Sequence, residues 1–202
     1  MYGSDFEDLV NKFMKFPGIG PRQARRFVYF LLSQDKIFRI DFIKTLDNLN
    51  LKAKQCSRCA YFFVASSNQS LLCQRCHSLD TDKSTLMIVE KDMDIDNIIK
   101  TGTYKGSFFV LGSLKSKTLK RLGLLKKIIT AEAKSGTLKE IIIAFSASTD
   151  GDHMDHLLKK ELEPIVATGQ LKISSLGRGL STGAELEYSD AETIANALLG
   201  RH

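Results

Sequence analysis

All four cysteines of the chain fall within one short window, in two pairs with the same internal spacing. Cys56 and Cys59 are followed by thirteen residues and then by Cys73 and Cys76. Two C-x2-C pairs can bring four thiolates to one point, and structural Zn2+ sites favour this closed tetrahedral sulfur coordination. Four reduced thiols or two disulfides are the alternatives. The spacing predicts a structural zinc ion with no open position for a catalytic water.

The segment between the two pairs predicts a small hairpin. Residues 61–64 are aromatic or apolar, and residues 66–69 are polar, as expected for a strand that leads into an exposed tip. A module of this size buries little apolar surface by itself. We therefore expect its folding to depend on the metal.

The composition is that of an ordinary globular protein with a basic bias. The chain has 202 residues, 43% of them hydrophobic, and a formal net charge of +6. Its apolar runs are far shorter than a membrane span, so a cytoplasmic protein is expected. Residues 111–139 contain eight lysines and arginines against the single acid Glu132, which favours a polyanionic partner, although a solvated helix face is the alternative.

Near the N-terminus, two helices are predicted on either side of a Pro-Gly-Ile-Gly-Pro turn at residues 17–21. The first spans residues 4–15 with Ser4 as a candidate N-cap, and the second spans residues 22–32 after Pro21. Such a turn is typical of a helix-hairpin-helix motif, in which glycines let the backbone approach a phosphate. A plain helical hairpin is the alternative. The candidate DNA contacts are Gly18, Gly20, Arg22, Arg25 and Arg26.

From residue 84 onward, short apolar strands alternate with longer helical stretches, the pattern of a parallel α/β sheet. The predicted strands are 86–89, 108–111, 140–145 and 171–174. The predicted helices are 93–101, 117–133, 153–167 and 191–199.

Acidic residues follow two of these strands, where parallel sheets bind ligands. Glu90 ends the first strand, and Asp150 and Asp152 follow the third. This arrangement resembles a Toprim domain, which holds divalent metal with an Asp-x-Asp pair directly after the third strand. Here those positions are Ser146 and Ser148, which are poor Mg2+ ligands, so we expect a degraded catalytic site. The aspartates could hold a weak metal ion with Glu90, or one of them could cap the next helix.

The order of these parts resembles the bacterial recombination mediator family RecR over essentially the whole chain. The matching strings are the turn at 16–22, the two cysteine pairs, residues 88–90 and 109–111, and the tail at 183–187. The resemblance implies an α/β protein with four regions. They are a helix-hairpin-helix region (1–54), a four-cysteine zinc finger (55–80), a Toprim-like domain with a mainly parallel sheet (81–170), and a C-terminal strand and final helix (171–202).

The resemblance also implies a function without catalysis. Family members assist DNA repair with RecO, and in some bacteria with RecF, by helping RecA displace single-strand-binding protein (SSB). The resemblance implies sequence-independent contact with ssDNA and dsDNA through Arg22 and Arg26. It implies contact with RecO through Glu90, with Asp150 and Asp152 as weaker companions. It also implies a homodimer or homotetramer. One departure is the Ser-Ala-Ser-Thr run at 146–149, where the family commonly has Asn-Pro-Thr. The alternatives are a metal-dependent Toprim nuclease or topoisomerase-like enzyme, and a zinc-dependent assembly scaffold.

Overall fold

The computed structural model describes residues 3–65, 71–112, 116–167, 171–177, 179–180 and 183–200. The chain divides into two compact units, Met1–Ala53 and Lys54–His202. The first unit is helical, and the second contains both sheets. None of the described helices is long and apolar enough to cross a membrane.

The helical unit contains the two predicted helices and a third one that was not predicted. Helices α1 (Ser4–Phe13) and α2 (Pro21–Ser33) flank the glycine turn, and Pro21 opens α2 as expected. The capping prediction for Ser4 is wrong, because Gly3 occupies the cap and Ser4 is already helical. Helix α3 (Lys36–Lys52) begins after Asp35, whose carboxylate accepts a hydrogen bond from the Phe38 amide at 2.7 Å.

The cysteine window forms a small module at the start of the second unit. Strand β1 (Ala53–Gln55) pairs with β2 (Phe62–Val64), and helix α4 (Gln74–His77) carries the end of the second cysteine pair. The hairpin predicted within the loop is therefore wrong, since β2 pairs with a strand that precedes the first cysteine pair. The polar tip predicted at residues 66–69 lies outside the described residues.

A four-stranded parallel sheet forms the centre of the second unit, as predicted. Its strands are β3 (Asp82–Val89), β4 (Gly106–Val110), β5 (Glu140–Ala144) and β6 (Lys172–Ser175), in the order β4-β3-β5-β6. Helix α5 (Asp92–Lys100) connects β3 to β4. Helices α6 (Ser116–Lys134) and α7 (Thr149–Val166) connect β4 to β5 and β5 to β6.

Side chains from alternate positions of the strands form two cores, one on each face of the sheet. On one face, Leu86, Phe109 and Ile143 pack with α6 and α7 residues such as Leu125 and Leu158. The opposite-face core consists of Met87, Val89, Phe108, Val110, Ala144 and Ile95, with Tyr61 of the cysteine module against it. The sheet is thus covered by helices on both faces.

The ends of α7 and the C-terminal region differ from expectation only in detail. Helix α7 begins at Thr149, earlier than predicted, and its cap is Ser148, whose hydroxyl accepts from the Gly151 amide. The proposal that Asp150 or Asp152 caps this helix is therefore wrong. A 3-10 turn (Leu186–Tyr188) then precedes helix α8 (Ala191–Leu199), which Asp190 caps.

Candidate metal centre, glycine turn and acidic edge

The four cysteine sulfurs meet at one point, as the spacing predicted. The Sγ atoms of Cys56, Cys59, Cys73 and Cys76 all lie within 4.8 Å of one another, and those of Cys59 and Cys73 are 3.6 Å apart. Ligand sulfurs of tetrahedral zinc are about 3.8 Å apart, since each lies about 2.3 Å from the ion. None of the four is in a disulfide. The residues therefore fit a metal ion held by four thiolates.

Backbone turns hold the sulfurs in place. The Cys56 amide donates to the Tyr61 carbonyl at 2.8 Å, and the Ala60 amide donates to the Cys56 carbonyl at 3.0 Å. This tight turn places Ala60 at a φ of 60°, a left-handed conformation that is uncommon for a residue with a side chain. On the other side, the Cys73 amide donates to the Cys56 sulfur at 3.4 Å.

The crowded thiols cannot all ionise without a cation. Sulfur hydrogen bonds, first from Cys59, lower the pKa of Cys56 far below its ordinary value. The same type of contact with Cys56 is the largest cause that raises the pKa of Cys59 and of Cys76, and burial adds to it. A thiophilic metal ion would remove this conflict, because each sulfur binds it as a thiolate.

The cysteine module covers an edge of the parallel sheet. Strand β4 is an edge strand, yet all five of its residues are buried. The Val110 amide donates to the Cys59 carbonyl at 2.8 Å, and the Arg75 guanidinium donates to the carbonyls of Tyr104 and Gly106 at 3.3 Å. The module thus occupies backbone groups that an open edge would offer to another strand.

Two arginines that were not predicted as functional residues anchor this module. Arg58 pairs with Glu132 of α6 at 2.5 Å, and Arg75 lies 4.8 Å from the Phe108 ring centroid. Burial raises the pKa of Glu132 despite the opposing effect of Arg58. The available signal was a repeated pattern, since each pair reads Cys-x-Arg-Cys.

The glycine turn adopts a backbone conformation that favours glycine. Gly18 has a φ of +74°, and Gly20 is the N-cap of α2. A Cβ atom built on either glycine would meet nothing within 4 Å, so the turn faces open space. The first turn of α2 leaves backbone N–H groups available to an anion.

The three arginines of this turn are not equivalent. Arg25 pairs with Glu7 of α1 at 3.0 Å and is half-buried. Arg22 and Arg26 are exposed, and the Arg26 guanidinium makes a long hydrogen bond of 3.4 Å to the Gln23 side chain. Arg25 therefore helps to join α1 to α2, whereas Arg22 and Arg26 point their charge to solvent.

The predicted acidic residues lie at the carboxyl end of the sheet but do not form one ligand group. Glu90 follows β3, which lies between β4 and β5 where the direction of strand addition reverses, and open sheets bind ligands at such a point. Among the described residues, the four cysteines are the one group of three or more candidate ligands within metal-binding distance. The weak metal site that Glu90, Asp150 and Asp152 could have formed is therefore not present among the described residues.

Serine hydroxyls bond to each other where a Toprim enzyme would place carboxylates. The Ser146 and Ser148 hydroxyls are 3.0 Å apart, and the Ser148 hydroxyl also caps α7. Gly151 is required nearby, because a Cβ there would lie 1.9 Å from the Ser146 carbonyl oxygen. The turn is thus specialised for starting a helix.

Comparison with known families agrees with this architecture. Residues 6–47 match the RecR helix-hairpin-helix family, residues 84–176 match the Toprim domain family, and residues 179–202 match the RecR C-terminal family. The matches thus cover the glycine turn, the parallel sheet and the final helix.

Similar proteins align over nearly the full chain. The "Recombination protein RecR" of Prochlorococcus marinus subsp. pastoris is 31% identical over 196 residues, which is 96% of this chain and 93% of that protein. Its counterpart in Prochlorococcus marinus strain AS9601 is 30% identical and covers 99% of this chain and 96% of that protein. The one from Lactobacillus johnsonii is 29% identical, with 96% and 94% covered. The chain therefore belongs to the RecR family of recombination proteins.

Proposed function

We propose that this protein is a non-catalytic, DNA-binding recombination mediator in DNA repair. In this role it acts with RecO, and in some bacteria with RecF, to load RecA on ssDNA coated by SSB. The observation that carries its DNA-binding part is the open glycine turn at Gly18 and Gly20, followed by exposed Arg22 and Arg26 at the start of α2.

The turn would bind phosphates rather than base edges. Backbone N–H groups and guanidinium groups make the same contacts with any nucleotide sequence, so binding should be sequence-independent. Each phosphate neutralised on a single strand contributes about −0.7 to the slope of log K against log salt. Several weak contacts per subunit would add up in an oligomer.

We expect Arg22→Ala with Arg26→Ala to weaken ssDNA and dsDNA binding and to flatten the salt slope for ssDNA by about 1.4 per subunit, since two phosphate contacts are lost. Fluorescence anisotropy at several salt concentrations measures both quantities. The matched control is Lys36→Ala with Lys44→Ala, which removes the same charge from α3 of the same unit. An equal loss in the control would show that only net charge matters, and unchanged binding in the arginine variant would contradict the proposal.

The acidic edge is the proposed RecO contact. Glu90, Asp150 and Asp152 follow strands β3 and β5 at one end of the sheet. Among the described residues they do not form a group of metal ligands, which favours partner binding over metal binding. Asp150 and Asp152 lie in the first turn of α7, where acids stabilise the helix.

We expect Glu90→Gln with Asp150→Asn to reduce RecO binding at least tenfold, while DNA binding by the isolated protein stays within twofold. Calorimetric titration with RecO measures the first quantity, and anisotropy measures the second. Glu161→Gln with Glu163→Gln, on the same helix but away from its start, is the matched control, although Glu161 pairs with Lys126 of α6. Unchanged RecO affinity, or DNA cleavage in Mg2+ that the variant loses, would refute a non-catalytic docking role.

We also propose that the protein is a homodimer or homotetramer. Helix α3 supports this proposal, because none of its residues is buried although it carries many large apolar side chains. Those exposed above a third of their surface include Ile37, Phe38, Ile40, Phe42, Ile43, Leu46, Leu49 and Leu51. Apolar surface of this extent is typical of an interface with another subunit.

A further inference from the structure

The second unit contains a large cleft that the proposed function does not use. It has a volume of about 1280 Å³ and lies between the cysteine module on one side and α5 with the start of β4 on the other. Most small-molecule pockets are about 300–1,000 Å³, so an extended chain segment suits this cleft better than a small ligand.

The charges that line the cleft are mainly positive. Its cationic side chains are Arg58, Arg75, Lys83 and Lys105, with His77 beside them, and its one carboxylate is Asp80. The two arginines are already engaged, Arg58 with Glu132 and Arg75 with the Gly106 carbonyl of β4. Lys83 and Lys105 are exposed, and neither takes part in an ion pair within the described part of the chain. Two ammonium groups are thus available to an anionic ligand.

Apolar and aromatic side chains complete the walls. Val64 is 58% exposed and Ile99 is 42% exposed, and the half-buried rings of Tyr61 and Phe63 lie beside them. Aromatic faces next to basic groups are the combination with which proteins bind single strands, because bases stack on the rings and lysines neutralise the phosphates.

A peptide fits the cleft less well. Extended peptides bind by adding a strand to an open sheet edge. The edge of β4 is occupied by the Cys59 carbonyl and by Arg75, and the Phe62 amide of β2 donates to Asp92 at 2.8 Å. A duplex would present phosphates alone and leave the apolar wall without a partner.

We propose that this cleft binds single-stranded nucleic acid, with Lys83 and Lys105 on phosphates and with bases against the wall formed by Tyr61, Phe63, Val64 and Ile99. The inference rests on the proposed function, because both the glycine turn and the cleft would bind nucleic acid. The two sites differ in strand preference, since the glycine turn contacts only the backbone and the cleft needs unpaired bases.

The test uses the full-length protein with bound metal and the charge-reversal variant Lys83→Glu with Lys105→Glu. The probe is a fifteen-nucleotide oligothymidylate containing photoreactive 4-thiothymidine. Lys134→Glu with Lys160→Glu is the matched control, because both lysines are exposed in the same unit and neither lines the cleft. Metal content and thermal melting establish that all variants are folded.

We expect the cleft variant to bind the probe at least tenfold more weakly at low salt and to lose cross-links to Tyr61 and Phe63. The control should bind within twofold of the parent protein and keep the cross-links. Duplex binding should change much less than single-strand binding in the cleft variant. Equal losses in both variants, or cross-links that map only outside the cleft, would overturn the inference.

The same measurement in the Arg22→Ala, Arg26→Ala background separates the two proposals. Cross-links in the cleft that persist in this background support the cleft whatever happens to the glycine turn. If this background loses all binding and all cross-links, the cleft inference fails and the glycine turn stands. An acidic, phenylalanine-containing peptide that cross-links in the cleft when the oligonucleotide does not would assign it to a peptide instead.

Discussion

The two units of the chain differ in how much of their apolar surface they bury. In the helical unit, the buried hydrophobic residues among those described are Val10, Ala24 and Val28. In the α/β unit, the sheet has a core on each face, and Ile88, Ile141, Leu158 and other side chains are fully shielded from solvent. A sheet covered by helices buries both of its surfaces, whereas a single layer of helices buries only one.

This difference distinguishes a unit that buries its own apolar surface from one that leaves much of it exposed. The α/β unit has the core of an independent domain, apart from the cysteine module that covers its edge. The helical unit leaves α3 with large apolar side chains exposed, so we expect it to depend on association with another subunit. We expect perturbations of the two units to differ in size and in their dependence on protein concentration.

Loss of the metal centre should have the largest effect. Cys59→Ser, or removal of metal by a strong chelator, should destabilise the α/β unit by more than about 4 kcal/mol, because the remaining crowded thiols lose their common cation. Elemental analysis should show one zinc per chain in the parent protein, and hydrogen exchange should become faster in β4 once its cover is lost. The adjacent variant Ser57→Ala should keep its metal. Unchanged stability without metal would show that the cysteine module folds over the edge of β4 without a metal ion.

Truncation of a core leucine should cause the second-largest loss of stability. The same truncation on α3 should hardly change the free energy of unfolding of the monomer. Leu158 is 0% exposed, so Leu158→Ala should cost about 2–5 kcal/mol. Leu46 is 51% exposed, so Leu46→Ala should change the free energy of unfolding by less than about 0.5 kcal/mol. Chemical denaturation at low protein concentration measures both. Equal costs would mean that α3 is packed within its own subunit.

A small effect on subunit stability, but a clear one on assembly, is expected for Ile43→Ser with Leu46→Ser. These neighbours on α3 are 65% and 51% exposed, so their loss should leave helix content unchanged. Light scattering should nevertheless show a shift of the oligomer towards monomer. The control, Lys44→Ser with Asp47→Ser, changes polar residues of the same helix without changing net charge. An oligomer that persists in the apolar variant would place the interface elsewhere.

Short sequence patterns correctly predicted the features that depend on neighbouring residues. The C-x2-C pairs placed four sulfurs together because each pair forms a short turn, and Gly18 and Pro21 marked a helical turn that the backbone adopts. The strand and helix pattern after residue 84 predicted a parallel sheet because buried strands lack polar alternation. In each case the signal lies within a few residues of the feature it predicts.

The errors concern pairing partners outside the predicted segment and the exact positions at which helices begin. The expected hairpin failed because β2 pairs with β1 across the first cysteine pair, a choice that residues 60–72 do not encode. A weak metal site of Glu90 with Asp150 and Asp152 was one of the possibilities left open by the sequence. It does not form among the described residues, because the approach of these acids depends on how β3 and β5 end in three dimensions. Ser148 took the cap because helix α7 begins earlier than its apolar pattern does.

The sequence by itself determined the metal-binding donor set, the helix-hairpin-helix turn, the parallel α/β class and the family resemblance, since all of these rest on residue type and spacing. Only the tertiary structure decided that Arg25 is paired with Glu7 while Arg22 and Arg26 are exposed, and that the cysteine module covers β4. It also decided that Lys83 and Lys105 line one cleft. The physical reason is that charge pairing, edge protection and concavity arise between segments far apart in the chain, where spacing along the sequence carries no information about distance.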